Sequence, residues 1–464
     1  MASVFLDPLM ALTDTAIVGR LGTLQLGAVG LSNLIFFFST VLFSFLLAVT
    51  TPRVASAKAR GEHDEASIET AHALWLAAGL GLALCAVLWA AAPWLMLSVF
   101  NVGPEQAAQG IPHLRIRSLA APATLILFVT NGAFRGITDT RTPLLAGFAQ
   151  NSVNFALDFV LVLWLGWGVS GSATAVAVAF YVGAVAMGGM LVWRNALQPR
   201  HLLSPPPAGK CLSLVKQGMP LMACIGAVVV AIFTATNQAT GLGPVPLAAH
   251  AVVRQITDFC MALMGSFSTV GQSLVAASLG KGDAAESRAV VQRLLQWGLG
   301  FGGLMSAGLL LGHAWVPGFF TQDAAVVDCA SSALFVVGLT MLLAPVATTL
   351  EGTLMGSEQY PWLGGRTLAS AAVAVGVLTL SSRCHWGLPG VWLGLVSLVA
   401  CNGLLDGWRL LQKDSPVAPL SKVAPVEDLE SVPSVESLEK AWRRDIVGGA
   451  SKGDKIAAGV EPRD

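Results

Sequence analysis

The chain has 464 residues, of which 54% are hydrophobic and 12% charged, and its 27 basic and 27 acidic side chains leave a formal net charge of zero. A soluble domain carries roughly 25% charged residues, so this composition excludes an ordinary soluble globular protein. A balanced charge offers no electrostatic footprint for nucleic acid, and no Gly-x-x-x-x-Gly-Lys-Ser/Thr phosphate loop is present, which argues against a self-contained ATP-driven pump.

Apolar runs near the ~20 residues that span a bilayer recur along the chain. Broken at charge, Pro and Gly, they predict twelve segments at about 2–20, 27–50, 70–98, 111–134, 143–165, 170–194, 212–238, 247–278, 287–312, 327–352, 361–382 and 388–411. The first is short for a span, because a full crossing needs apolar residues upstream of Asp7. The expectation is therefore that the start of this helix, with any targeting peptide, is missing. Lys and Arg concentrate in alternate loops. Arg53, Lys58 and Arg60 follow the second segment, and Arg194, Arg200, Lys210 and Lys216 lie between the sixth and seventh. Basic loops mark the cytosolic side, so both termini are expected there. Arg115 and Arg117 fall near the opposite end if the fourth segment starts as drawn. Residues 412–464 turn rich in Lys, Glu, Asp, Pro and Ser, the composition of a disordered tail.

The chain also matches itself at an offset near 220. Gly61-Glu62 meets Gly282-Asp283, and Asn131-Gly132 with Arg135-Gly136 meets Glu351-Gly352 with Met355-Gly356. Trp167-Gly168 meets Trp386-Gly387. Six segments separate each pair, so the halves share one orientation, and such parallel repeats are related by an axis along the membrane normal. The prediction is an all-α membrane protein with residues 1–200 as an N-lobe, 201–411 as a C-lobe and a central cavity between them.

Ionisable residues inside apolar segments mark functional sites by default, since a carboxylate there costs roughly 2.5–3.5 kcal/mol on insertion scales. Asp14 lies in the first segment and Asp158 in the fifth. Asn154 precedes Asp158 by one helical turn and shares its face. Such a set can hold a small cation with hard oxygen ligands, or take and release a proton. The alternatives are that Asp158 caps or pairs within the helices, or that Asp14 sits at the headgroup level beside Arg20. Glu351 is the clear acid of the tenth segment, at whose end it can pair with Arg366 or Arg135. Arg254 and Gln255 lie in the eighth, where Arg254 can face an anionic substrate or pair with Asp258. Asn237, with Thr234, Thr236 and Gln238, can line a cavity or bond across helices. Pro122 and Pro345 are candidate hinges, whereas Pro143 and Pro220 read as first-turn prolines. The seven Cys are dispersed with no Cys-x-x-Cys pair, and no nucleophile or metal constellation appears. No enzymatic activity and no cofactor are expected, nor any metal beyond Na+ at Asp14, Asn154 and Asp158.

Several of these stretches resemble one transporter family. Asp7-Pro-Leu-Met-Ala-Leu-Thr-Asp-Thr-Ala-Ile-Val-Gly-Arg-Leu-Gly looks like the opening of multidrug and toxic compound extrusion transporters, closest to their DinF-like branch with its plant and algal members. Asn131-Gly-Ala-Phe-Arg-Gly-Ile-Thr-Asp-Thr-Arg-Thr-Pro143, Ala248-Ala-His-Ala-Val-Val-Arg-Gln255 and Gly271-Gln-Ser-Leu-Val-Ala-Ala-Ser-Leu-Gly-Lys-Gly-Asp283 follow in the family's order. The resemblance implies twelve helices in two six-helix bundles and efflux of small organic compounds in exchange for H+ or Na+. It places Asp14, Asn154 and Asp158 at the family's N-lobe cation site, and Glu351 where plant-type members carry an acid used for coupling or substrate. One departure is Val176, where the family's sixth helix carries a Thr hydroxyl; Thr174 stands two residues early. A missing oxygen weakens Na+ binding more than proton binding, which favours H+. The resemblance further implies a monomer in the lipid bilayer of the plasma membrane or plastid envelope, with a small-molecule substrate and no nucleic-acid partner. The competing functions are a lipid-linked-sugar flippase of the same superfamily and a transport-inactive receptor or scaffold.

Overall fold

The computed structural model describes residues 23–412 apart from 101, together with 415 and 417. Asp7, Asp14 and the predicted first segment lie outside the described residues, as does the 412–464 tail beyond Gln412, Ser415 and Val417. Among the described residues nine helices are long and apolar enough to cross a membrane, and eleven spans result when two bent pairs each count as one. They correspond in order to the second to twelfth predicted segments. The second is Leu24–Ala59, the third His63–Val99, and the fourth Pro104–Ser118 with Ala121–Gly136. The fifth to ninth are Arg141–Trp164, Gly168–Trp193, Ala208–Gly241, Pro244–Gly280 and Ala284–Gly312. The tenth is Ala324–Thr340 with Ala344–Gly356, the eleventh Tyr360–Arg383, and the twelfth Gly387–Leu411.

The helices run past the ends of the apolar segments. Arg53 and Lys58 continue the second span, and Pro104 at the first helical position starts the fourth well before its apolar run. Arg115 and Arg117, expected near a loop, are consequently inside a helix. The bends of 44° and 50° in the fourth and tenth spans fall just before Pro122 and Pro345. Proline has no N–H to donate to the helix ladder and its ring crowds the preceding turn, so the predicted hinge positions are where these spans break. Pro220 differs from expectation: it lies inside Ala208–Gly241 and packs against Gly364.

The repeat is written in the backbone. Left-handed residues recur in twin positions: Gly61 and Gly282, Thr138 and Glu358, Gly166 and His385, Gly168 and Gly387. The Gly-x-x-x-Gly pairs explain a second part of the match. A Cβ at Gly132 would meet the Leu47 carbonyl oxygen at 2.8 Å, and one at Gly136 the Thr51 oxygen at 2.8 Å. Gly352 and Gly356 press in the same way on the backbones of Ser268 and Gln272. In each lobe the fourth span, or its twin the tenth, thus lies backbone to backbone on the second or its twin, the eighth. Lipid offers no hydrophobic drive between helices, so close packing through small residues holds such crossings.

The distribution of the core sets the conformation. At the end bearing the basic loops, one buried cluster serves both lobes, joining Phe45, Val49 and Leu125 to Leu214, Val275, Leu350 and Leu363. At the opposite end the clusters separate. Ile35, Phe36, Leu88 and Met96 belong to the N-lobe, and Val253, Val337, Val391 and Trp392 to the C-lobe. Polar contacts across the lobes sit at the basic end too. Gln272 Nε2 donates to the Ala48 carbonyl at 2.6 Å. Arg53 pairs with Glu69 at 2.7 Å and donates to Gln217 Oε1 at 2.8 Å, while Lys210 reaches Glu69 at 3.2 Å. The molecule is therefore sealed at the end bearing the basic loops, the end expected to face inward, and the two lobes have separate cores at the other end.

Candidate ion and substrate sites

The fifth span begins as an α-helix over Arg141–Asp158 and passes into a π-helix over Phe159–Trp164 directly after Asp158. Such widenings of the helix ladder occur often at functional positions. The twin eleventh span is α-helical throughout Tyr360–Arg383. Asn154 and Asp158 are each 1% exposed, and Asn154 Nδ2 donates to Asp158 Oδ2 across 3.0 Å. The one-turn spacing has brought them together as expected. The span packs against the sixth, where Val176 is buried and the Thr174 hydroxyl donates to the Ser170 carbonyl at 2.7 Å. The C-lobe lacks a counterpart. Ala374 and Leu378 occupy the matching positions of the eleventh span, and Ala235, the twin of Asp14, is fully buried.

Glu351 pairs with Arg366, one of the two partners the sequence offers it, at 3.3 Å. Arg366 also contacts Asp406 at 3.1 Å, and Trp362 Nε1 donates to the same carboxylate at 3.3 Å. The Arg366 and Asp406 side chains are 2% and 1% exposed, Glu351 31%. Sequence reasoning passed over Asp406. The rule that singled out Asp158, an acid within an apolar segment, applies equally to Leu404-Leu-Asp-Gly-Trp408.

At the end of the C-lobe away from the basic loops, Thr236 of the seventh span and Pro244, Leu247, Ala248, His250, Ala251 and Arg254 of the eighth line a cavity of about 470 Å³. Arg254 Nε meets Asp258 Oδ2 at 2.9 Å, the resting pair expected from their spacing. Of the four residues proposed for a C-lobe substrate cavity, only Arg254 lines it. Gln255 and Asn237 are exposed and lie outside this lining, because each stands one residue, about 100°, around its helix from Arg254 or Thr236. Glu351 belongs to the Arg366 cluster instead. In the N-lobe, Arg117 stacks over the rings of Phe36 and Phe180 at 4.3 and 5.1 Å, and His113, one turn before it, is buried. Neither was singled out from sequence; an Arg in the fourth span's approach reads as a loop charge until the helix start is known.

Among the described residues no group of three or more His, Cys, Asp or Glu is arranged to hold a metal. A protein-family model described as MatE matches residues 1–160 and 220–378, two stretches set apart by the same offset as the internal repeat. Among curated proteins the chain is similar to "Protein DETOXIFICATION 44, chloroplastic" of Arabidopsis thaliana, 33% identical over 88% of this chain and 80% of that one. It is 26% identical to "Probable multidrug resistance protein NorM" of Rhizobium meliloti, over 86% and 88% of the two chains. Among solved structures, a MOP superfamily transporter from Pyrococcus furiosus superposes with a TM-score of 0.78 at 21% identity, covering 88% of this chain and 92% of that one. A eukaryotic MATE transporter gives a TM-score of 0.74 at 16% identity over 93% and 95%. The likeness to these structures shows the fold, twelve transmembrane helices in two bundles. The chain belongs to the MatE family, the multipass membrane transporters of multidrug and toxic compound extrusion, which are not enzymes.

Proposed function

We propose that this protein is a secondary antiporter that exports small organic compounds in exchange for H+, with the coupling ion taken up in the N-lobe by Asp158 and Asn154 together with Asp14. The observation that carries the reading is the buried Asn154–Asp158 hydrogen bond at the α-to-π junction of the fifth span. An acid withdrawn from water in a span must be neutralised or partnered, so its ion or proton is exchanged only when the site opens. The asymmetry supports a single coupling lobe, since the matching C-lobe positions are Ala374 and Leu378. Val176 supplies no oxygen and the Thr174 hydroxyl is engaged, which weakens the site for Na+, a cation needing several oxygen ligands, more than for a proton, which needs one. The relatives named for detoxification and multidrug resistance support small organic cargo, and those named chloroplastic support a plastid envelope rather than the plasma membrane.

Coupling follows from population shift. Protonation and substrate binding favour different arrangements of the lobes, and each can move the equilibrium only by its differential affinity for them. The inner-sealed state described above is the one from which an outside proton would be bound and cargo released. The test uses purified protein in proteoliposomes loaded with a panel of organic acids and cationic dyes. Export of at least one class under an imposed pH gradient, collapsing with a protonophore and indifferent to a Na+ gradient, is the expected result. Export that follows the Na+ gradient alone would refute the H+ assignment.

A further inference from the structure

The outer C-lobe cavity has features that ion coupling in the N-lobe does not use. Arg254 and Gln272 are 18 residues apart in one continuous helix, five full turns, so they share a face. Gln272 on that face meets the second span at the inner seal, which turns Arg254 toward the space between the lobes about 27 Å further out. Asp258 engages only Nε of Arg254; neither Nη1 nor Nη2 makes a hydrogen bond among the described residues. Those two groups, with their fixed fork geometry, suit an oxyanion bidentately. Asp258 itself is 58% exposed and can remain solvated when it is displaced. Beside the fork, His250 is 3% exposed, its Nε2 lies 3.3 Å from the Thr236 hydroxyl, and its Nδ1 has no hydrogen-bond partner. A buried polar atom without a partner is costly, and His250 is among the residues that line the cavity, where a ligand's donor or acceptor can relieve that cost. The remaining lining is Leu247, Ala248, Ala251 and Pro244.

From this juxtaposition we propose that the cavity is a binding site for an amphiphilic oxyanion, whose carboxylate or phosphate is held by Arg254 and whose apolar body lies on Leu247, Ala248 and Ala251. His250 and Thr236 take a second polar group of the same ligand. Two sources share this chemistry, a free organic acid and an anionic lipid headgroup. The proposal rests on the export reading only for calling the free acid a cargo; the site itself is read from its own residues.

The test is equilibrium binding to purified protein in lipid nanodiscs without any ion gradient, so its failure leaves proton coupling untouched and is distinguishable from failure of the export reading. The probe is a small aromatic carboxylate, compared with its primary amide, measured by calorimetry in nanodiscs of zwitterionic lipid. The expected result is that the acid binds at least tenfold more tightly than the amide, that Arg254→Gln loses at least tenfold, and that Asp258→Asn gains affinity by removing the internal competitor. A gain cannot come from misfolding. A second set of nanodiscs carries phosphatidylglycerol. Competition there that disappears in Arg254→Gln assigns the site to lipid headgroups, and its absence assigns it to the free acid. Equal binding of acid and amide with no Arg254-dependent effect of anionic lipid would overturn the proposal, as would an Asp258→Asn variant that binds the acid more weakly.

Discussion

Replacing Arg366 by Met should destabilise the C-lobe far more than loss of an ordinary ion pair. A surface salt bridge contributes about 0–1 kcal/mol, because water and salt screen it. Here the Arg366 and Asp406 side chains are 2% and 1% exposed and 3.1 Å apart, so screening is absent. Removing the cation leaves Asp406 buried with Trp362 Nε1 as its remaining donor, and uncompensated charges of this kind cost about 3–5 kcal/mol. At roughly 2–4 °C per kcal/mol for a unit of this size, the apparent melting temperature should fall by roughly 6–20 °C. The informative comparison is the double variant Arg366→Met with Asp406→Leu, which removes both charges. Buried ion pairs replaced by apolar residues of similar volume are often neutral, so the double variant should regain most of the loss, with half-exposed Glu351 left to water. The assay is thermal unfolding in detergent, followed by tryptophan fluorescence at matched heating rates. An Arg366→Met protein that melts with the wild type would refute the burial argument. A double variant no more stable than the single one would refute the attribution to Asp406.

Other outcomes follow from the same geometry. Glu69→Gln removes both the Arg53 partner and the Lys210 contact across the lobes, so an Ala48→Cys reporter in a cysteine-free background should react several-fold faster with a membrane-impermeant maleimide applied from the inner side; unchanged labelling would mean that these pairs do not hold the inner seal. Gly352→Ala drives a methyl group into the backbone of Ser268 and should lower stability by about 1–3 kcal/mol, whereas Gly226→Ala, with nothing within 4 Å, should be neutral or stabilising. Thermal unfolding of the pair checks this, and equal effects would contradict the close crossing of the tenth and eighth spans.

What could be read from the chain divides along physical lines. Local periodicity carried the Asn154–Asp158 pair and the Arg254–Asp258 pair, because i and i+4 side chains meet on any helix. The repeat was legible for a similar reason: Gly61 and Gly282, or Gly168 and Gly387, must be Gly or nearly so to take a left-handed turn, and Gly132 and Gly136 with their twins must be small to admit a backbone. Contacts between distant segments were legible only as alternatives: Glu351 was offered Arg366 or Arg135, and the structure takes Arg366. Nothing local tells Arg53 that it will meet Glu69 and Gln217, or that Asp406 will join Glu351 on Arg366. Helix ends were blurred as well, since the spans continue through polar residues beyond the apolar segment, which hid the stacking of Arg117 on Phe36 and Phe180.

The central claim is that the N-lobe carboxylates couple export to the proton gradient. It is tested most directly by comparing wild type, Asp158→Asn and Asp14→Asn in proteoliposomes at equal protein incorporation, with export measured under an imposed pH gradient and substrate exchange measured without one. The account predicts that both variants lose gradient-driven export, by at least tenfold, while exchange at zero gradient persists. Full gradient-driven export in Asp158→Asn and Asp14→Asn would contradict it.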